Sequence, residues 1–447
     1  MTKNFIKESL SGWGGFPRKI AKVFYPVKIN QILNEIKNGE VIARGNGRAY
    51  GDSAISEKNT INMKNFNNIL AFDENNGILT IEAGVLLSDI IKTFLPRGWF
   101  PHVTPGSKYV TVGGMIAADV HGKNHHKDGS FSNFVEWIEV IDHDGKINRC
   151  SKRENKELFE WTIGGMGLTG IIIRAAIKLR AVETCWIKQK TLTAKNIDET
   201  LEIFKSSMNS TYSVAWLNCS VKNKNIGQSL IMLGEHAAVN ELKSKDKSTP
   251  LKLIKKKKIY IPFYLPNWFL NKWFISLFNF IYYSFGKILK KDRMIYWDKY
   301  FYPLDNLLGW NKIYGRKGLI QYQCVFPLIK SKDGLLEIIK EINRSKVCPF
   351  LTVLKQFGKQ QSKFSFPMEG LTIALDFPVN SETLKLLEKL DEITLKYKGR
   401  VYLAKDSRMK KEIFQKSDTR IKDYLNFRNK NNSKSYFSSS QSTRLGL

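Results

Sequence analysis

Three of the six histidines in this 447-residue chain fall within six positions of one another, in His121-Gly122-Lys123-Asn124-His125-His126. Imidazoles spaced this way can bind a metal, move a proton or pack against a planar ligand. The only acidic neighbours are Asp119 and Asp128 and no cysteine is close, so the donor set is thin and no metal is expected. Just upstream, Tyr109-Val110-Thr111-Val112 reads as a strand running into Gly113-Gly114 and then the small Ala117-Ala118. Paired glycines let a backbone approach a large ligand closely and offer it free N–H groups. A second string, Gly45-Asn46-Gly47-Arg48-Ala49-Tyr50-Gly51-Asp52, follows the strand-like Val41-Ile42-Ala43-Arg44. Its glycine amides, with Arg44 or Arg48, suit a diphosphate. The spacing is GxGxxxG, one residue off the dinucleotide fingerprint, and no clean amphipathic helix follows, so a nicotinamide site is not expected. Gly165-Met166-Gly167-Leu168-Thr169-Gly170 does match GxGxxG by letter, yet it leads into Ile171 to Leu179, which suits a strand.

The elements that must hold these groups alternate short strands with glycine turns. Leu79 to Ala83, Val135 to Ile141 and Gly170 to Leu179 read as strands, and Leu87 to Leu95 as a helix ending before Pro96. Further on, Trp186 to Leu192, Ser213 to Asn218, Gly318 to Phe326 and Leu371 to Phe377 read as strands. Lys330 to Ser345 and Glu382 to Lys396 have helical spacing. The rhythm is α+β, not that of a doubly wound sheet. The length favours two domains. The divisions expected are 1–184, a second unit over 185–399, and a return of 400–447 onto the first, with Asn429 to Ser442 loosely ordered. Gln321 and Gln323 share one strand face. Lys355 could meet a phosphate, and Lys405, taken alone, would ordinarily be solvated.

Composition narrows the classes. Hydrophobic residues at 43% allow a sizeable core. Five scattered cysteines without a CxxC pair argue for free thiols in a reducing cytoplasm. The N-terminus lacks the apolar core of a signal peptide. A formal charge of +30 attracts polyanions, an anionic membrane surface above nucleic acid, for which no motif is present, or it reflects a lysine-rich habit of the whole chain. Residues 251–297 stand apart: Lys255 to Lys258 precede a run rich in Trp, Phe, Tyr, Ile and Leu from Ile259 to Phe285. The uncharged stretch Phe274 to Gly286 is too short to cross a bilayer. A segment lying in the lipid interface and a helix pair buried under a basic loop both fit it.

Together, the strings at 43–54, 105–131, 162–174 and 402–408 resemble FAD-dependent oxidoreductases of the vanillyl-alcohol oxidase/p-cresol methylhydroxylase type. Within that group, His-Gly-Lys-Asn-His-His is similar to the branch of decaprenylphosphoryl-β-D-ribose 2′-oxidases. The resemblance implies a two-domain α+β flavoprotein, an FAD-binding domain joined to a substrate domain with an antiparallel sheet. FAD contacts would come from Ala43, Arg44, Gly45, Asn46, Gly47, Arg48, Ala49, Tyr50, Gly51, Asp52 and Ser53. Others would come from Gly106, Thr111, Val112, Gly113, Gly114, Ala118, Asp119, Val120, His121, Ile172 and Tyr402. Lys405 and His121 would be catalytic, the lysine as a fixed positive charge opposite the reduced flavin. Tyr50, Lys123, Trp216, Gln321, Gln323, Lys355, Thr372, Ala374 and Lys405 would line the substrate site.

Arg48 stands where covalently linked relatives carry a histidine, so the resemblance implies non-covalent FAD. Thr372 and Ala374 replace the Asn and Cys of the mycobacterial members. The activity implied is oxidation of the 2′-hydroxyl of a polyprenyl-phosphoryl ribose to the keto sugar. A reductase of the short-chain, NAD(P)H-dependent kind would complete an epimerisation to the arabinose form used in envelope glycans, at the inner face of the membrane. The alternatives are an oxidase of free sugars, alditols or aldonolactones, and a basic membrane-binding protein on a catalytically dead flavin fold.

Overall fold

A computed structural model describes residues 5–254, 257–266, 270–288 and 292–447. Strands Phe5–Ser11, Arg18–Phe24, Thr60–Asn62 and Ile42–Arg44 form a small sheet in that pairing order of neighbours, the last three parallel. The parallel strand Ile42–Arg44 ends directly on the first glycine string, so the Gly45–Gly51 turn emerges at a strand's carboxyl end. A second sheet is antiparallel, ordered Ile69–Asp73, Ile78–Glu82, Ile171–Ala181, Val135–Ile141 and Ile147–Ser151, with Trp99–Pro101 also pairing on the long central strand. The helix Leu87–Phe94 buries Leu87, Ile90, Ile91 and Phe94 against it, the i, i+3, i+4, i+7 stripe of an amphipathic helix.

The third sheet has eight antiparallel strands. Their order is Asp292–Tyr296, Trp186–Ala194, Ser229–His236, Tyr212–Leu217, Thr352–Phe357, Gly370–Pro378, Leu319–Pro327 and Arg400–Val401. One face is apolar: Ala215, Leu217, Leu354, Ile373, Leu375, Ile320 and Cys324 pack there under the helices Ser331–Arg344 and Ser381–Lys396. The two-residue period then sends every alternate side chain to the other face. This α+β architecture is the one read from the sequence.

Two local readings need correction. Val112 does not continue a strand. Thr111 caps a six-residue helix, Val112–Ala117, by accepting a hydrogen bond from Gly114 N at 3.3 Å, so the paired glycines sit in its first turn. The C-terminal tail is not loose. It forms the helices Ile421–Lys430, Ser433–Tyr436 and Ser440–Leu445, with Gln441, Ser442 and Leu445 buried. Arg428 is fully buried, donating to Leu168 O at 3.0 Å and Phe437 O at 2.5 Å. Arg444 bridges Asp52 and Asp406 at 2.8 and 2.9 Å, tying the chain's end to the first glycine turn.

Candidate active site

Strand register brings remote residues together. Gln321 lies opposite Asp376, Gln323 opposite Ala374, and Thr372 opposite both Val325 and Lys355. Ala374 in turn faces Val353, which faces Trp216. Directly paired residues project to the same side, so Trp216, Lys355, Thr372, Ala374, Gln321 and Gln323 all stand on the face opposite the apolar core. Asp376 stands there too. Sequence reasoning misses it, although Thr372-x-Ala374-x-Asp376 repeats the alternation that places the other two.

Hydrogen bonds link these groups. Gln321 Nε2 donates to Asp376 Oδ1 at 2.5 Å and lies 3.4 Å from the Tyr50 hydroxyl. Lys405 Nζ sits 3.8 Å above the Tyr50 ring. Gln323 Nε2 meets His121 Nε2 at 2.9 Å and Thr372 Oγ1 at 3.2 Å. An amide nitrogen only donates, so in this orientation His121 Nε2 accepts and the ring proton sits on Nδ1. The His121 ring is held by Phe357, Tyr402 and Phe366, with centroids at 4.7, 5.6 and 6.0 Å. Tyr402 donates to Ala118 O at 2.9 Å, joining the second glycine segment to the last strand.

Charge is distributed unevenly. Lys123, Lys355 and Lys405 are half-buried, and desolvation pulls each ammonium down, Lys123 and Lys405 to about 7 and Lys355 to about 8. Lys355 further depresses both of the others, so it is near enough to repel each of them. Lys123 donates to Tyr300 O and lies over that ring. Burial also holds His121 well below its usual value, and His125 at about 4, so both stay neutral. The carboxyl group beside Lys405 is that of Asp376, raised by burial to about 6 and drawn back by Gln321 and Lys405.

The glycine turns form the adjoining wall. A Cβ on Gly45 would run into the Thr111 side chain, and one on Gly51 into Asp406 O, so only glycine lets the two segments and the C-terminal turn close up. Gly106 has nothing within 4 Å and Gly114 meets only Thr111 Oγ1, leaving open space above that backbone. Of the two arginines, Arg44 is committed to Ser11 O at 2.7 Å and Ala54 O at 3.4 Å beneath the turn. Arg48 lies between the Trp13 and Tyr109 rings, 4.1 and 5.3 Å from their centroids. Asp52 and Asp119 point away: Asp52 pairs with Arg444, and Asp119 accepts from Ser130, Ser132 and Gln360. Their side chains brace the turns.

An FAD binding domain family matches residues 23–151, spanning both glycine segments. Over 450 aligned positions the chain is 34% identical to the decaprenylphosphoryl-β-D-ribose oxidase of Mycolicibacterium smegmatis, covering 98% of this chain and 97% of that one. The chain belongs to the FAD-dependent oxidoreductases of the vanillyl-alcohol oxidase/p-cresol methylhydroxylase type. Partial likenesses extend further. Cytokinin dehydrogenase 5 of Arabidopsis thaliana is 30% identical over 145 residues, 31% of this chain and 27% of its own. D-lactate dehydrogenase of Anaerostipes hadrus is 30% identical over 138 residues, 30% of this chain and 29% of its own.

The residues present fit FAD in this oxidoreductase. Arg48 Nε, His121 Nδ1 and Ser407 Oγ are buried polar atoms without a protein partner, Arg48 in the first glycine turn and Ser407 against Gly51 of the same turn. Such atoms are rare unless something else satisfies them. Arg48 and the Gly45–Gly51 amides would hold the diphosphate, the open Val112–Val120 backbone with Ser53 and Ile172 would border the flavin, and His121 and Tyr402 would pack beside it.

Proposed function

We propose that this protein oxidises a secondary alcohol on a polyprenyl-phosphoryl pentose, taking the 2′-hydroxyl of the ribose form to a 2′-keto sugar. The observation that carries this reading is three half-buried lysines, Lys123, Lys355 and Lys405, on one wall, with the Asp376 carboxylate beside Lys405 alone. Burying ammonium groups is costly unless an anion accompanies them. A free sugar or alditol gives them no partner, whereas a phosphodiester does. The 34% identity to a decaprenylphosphoryl-β-D-ribose oxidase supports the same class.

Lys123 and Lys355 hold the phosphate. Gln321 and Gln323 accept and donate to the sugar hydroxyls, while Trp216 and Ala374 give the row its apolar end. Asp376, held by Gln321 and close to the Tyr314 hydroxyl, takes the hydroxyl proton as the C–H bond breaks. FAD, when bound, supplies the acceptor for the hydride. Lys405, drawn down by desolvation to about 7 and held up by the Asp376 carboxylate, stabilises in its protonated form the negative charge that develops. The product ketone is the substrate for an NAD(P)H-dependent reductase of the short-chain class, which would return the hydride to the opposite face. FAD is held without a covalent bond, because Arg48 stands at the linkage position; acid precipitation should release all the yellow colour into the supernatant.

The test is anaerobic bleaching of the bound flavin. A prenyl-phosphoryl ribose should bleach it, and the same sugar without its phosphate should not. Bleaching by free alditols or aldonolactones, with none by phosphorylated sugars, would move the enzyme to the free-sugar class. A colourless protein that takes up no flavin would leave only a binding role.

A further inference from the structure

The helix Lys272–Ile288 carries its apolar side outward. Its buried residues are Ile275, Asn279 and Tyr283, one turn apart. Tyr283 donates to Ala194 O at 3.1 Å, and Tyr282 meets the Trp216 ring at 4.8 Å. With 3.6 residues per turn, the direction opposite that stripe belongs to Trp273, Leu277, Ile281 and Ile288, flanked by Phe280 and Phe285. Trp273 is 87% exposed, Ile288 81%, Phe280 68% and Phe285 61%. An ordinary surface helix presents charges there. Ile259 and Phe263, 64% and 62% exposed, continue the patch, since Ile261 between them shares a small core with Ile275, Trp310 and Tyr314. A contiguous apolar surface of this kind marks an interaction site.

Charge decides what covers it. Residues 247–291 contain ten lysines and no aspartate or glutamate. Lys257, Lys258 and Lys287 are exposed at its borders, while Lys255 and Lys256 lie outside the described residues. A second copy would bring the same lysines face to face across the contact and be repelled. No helix among the described residues is long and apolar enough to cross a membrane. We infer that this face is a docking surface for a bilayer of anionic lipid, with the aromatic side chains in the interface and the lysines among the headgroups. Of the two sequence readings of 251–297, the interfacial one has this exposed face behind it.

The helix also touches the cleft, because Trp216 beneath it belongs to the same cross-strand row as Ala374 and Gln323. On the oxidation reading proposed above, a substrate whose tail stays in the bilayer enters the pocket beside this helix. The docking itself does not depend on that reading.

The experiment is co-sedimentation of flavin-loaded protein with vesicles of phosphatidylcholine alone and with added phosphatidylglycerol. Binding should require the acidic lipid and weaken without vanishing in high salt. Replacing Lys257 and Lys287 by Gln should cost about fivefold each in partitioning. The triple variant Trp273→Ser, Phe280→Ser, Ile288→Ser should lose the salt-resistant part while flavin content and flavin reduction by a short-chain, water-soluble substrate stay unchanged. Trp fluorescence of the unaltered protein should be quenched by brominated acyl chains, and Trp273→Phe should remove most of that quenching. Wild-type protein that ignores acidic vesicles, or a dimer that the triple variant dissociates, would overturn the inference. Vesicle binding without any sugar oxidation would leave it standing and sink only the proposed substrate.

Discussion

The cleft wall and the Lys272–Ile288 helix break the ordinary folding rule in opposite senses. On the wall, three ammonium groups are half-buried and a carboxyl is buried; on the helix, Trp273, Phe280 and Ile288 face outward. The other face of the same eight-stranded sheet obeys the rule with its layer of Leu, Ile and Phe. Charge inside costs stability unless an ion joins it, and apolar surface outside is costly unless something covers it. Both regions are therefore incomplete without a ligand, one a small anion and the other an extended surface. They meet at Trp216, whose ring touches the helix and whose row continues to Gln323.

The largest effect should come from the carboxyl on that wall. Asp376→Asn keeps the bond geometry to Gln321 but removes the proton acceptor, and the flavin reduction rate should fall by roughly a hundredfold to ten-thousandfold. Flavin content and apparent substrate affinity should hardly move. A variant that loses affinity instead, with the limiting rate preserved, would make Asp376 a positioning residue for Gln321. Lys405→Ala comes next. Losing a preorganised positive charge costs about 3–4 kcal/mol, a slowing of roughly a hundredfold to a thousandfold, with FAD still bound. Near-normal stopped-flow reduction would remove Lys405 from the chemistry.

Much of the wall is legible in the sequence, because strand alternation is local. Gln321 and Gln323 two residues apart announce one face, and Thr372, Ala374 and Asp376 do the same once the third member is counted. Which strands pair is not local, and nothing in the sequence sets Gln321 against Asp376 except the register of a sheet assembled from distant segments. The Val112–Ala117 helix escapes because a Thr/Val run favours strand and two glycines disfavour helix; the Thr111 cap and the packing against Gly45 override both. The tail escapes for the converse reason. Its Asn and Ser residues look unstructured, yet Arg428, Gln441 and Arg444 find carbonyls and carboxylates far away in the chain. Residues 251–297 leave two readings open because periodicity tells which residues share a side, not which side is covered.

A moderate effect is expected at the seam between the two glycine segments. Gly45→Ala sets a methyl group against Thr111, whose hydroxyl also caps the Val112–Ala117 helix. Overpacking of this kind costs about 1–3 kcal/mol, so flavin affinity should fall roughly fivefold to a hundredfold. Desalting at low protein concentration followed by absorbance would show it. Full retention of flavin would mean that the seam yields without disturbing the cofactor wall.

The smallest and most discriminating effect is on pH. In the free protein, burial lowers Lys123 to about 7 and Lys355 to about 8, both far below an unfolded lysine. Between those values and about 10.4 the native state therefore holds fewer protons than the unfolded one, and ligand-free stability should decline as pH falls through that range. A phosphodiester reverses the balance, because its charge favours the protonated lysines and raises both values. At pH 6 the two ammonium groups are already present, and proton uptake on binding is confined to the Asp376 carboxyl, which burial raises to about 6. At pH 9 the ligand must draw protons in, and affinity should drop by up to about tenfold per pH unit for each lysine above its free value. His121 and His125, neutral throughout, add nothing to this slope. Calorimetry with a water-soluble alkyl-phosphoryl pentose, in two buffers of different ionisation heat, reads the proton uptake directly. Uptake that rises from pH 6 to 9 and shrinks in Lys355→Gln would locate the phosphate on this wall; an affinity flat across the same range would place it elsewhere and return the cleft to a neutral sugar.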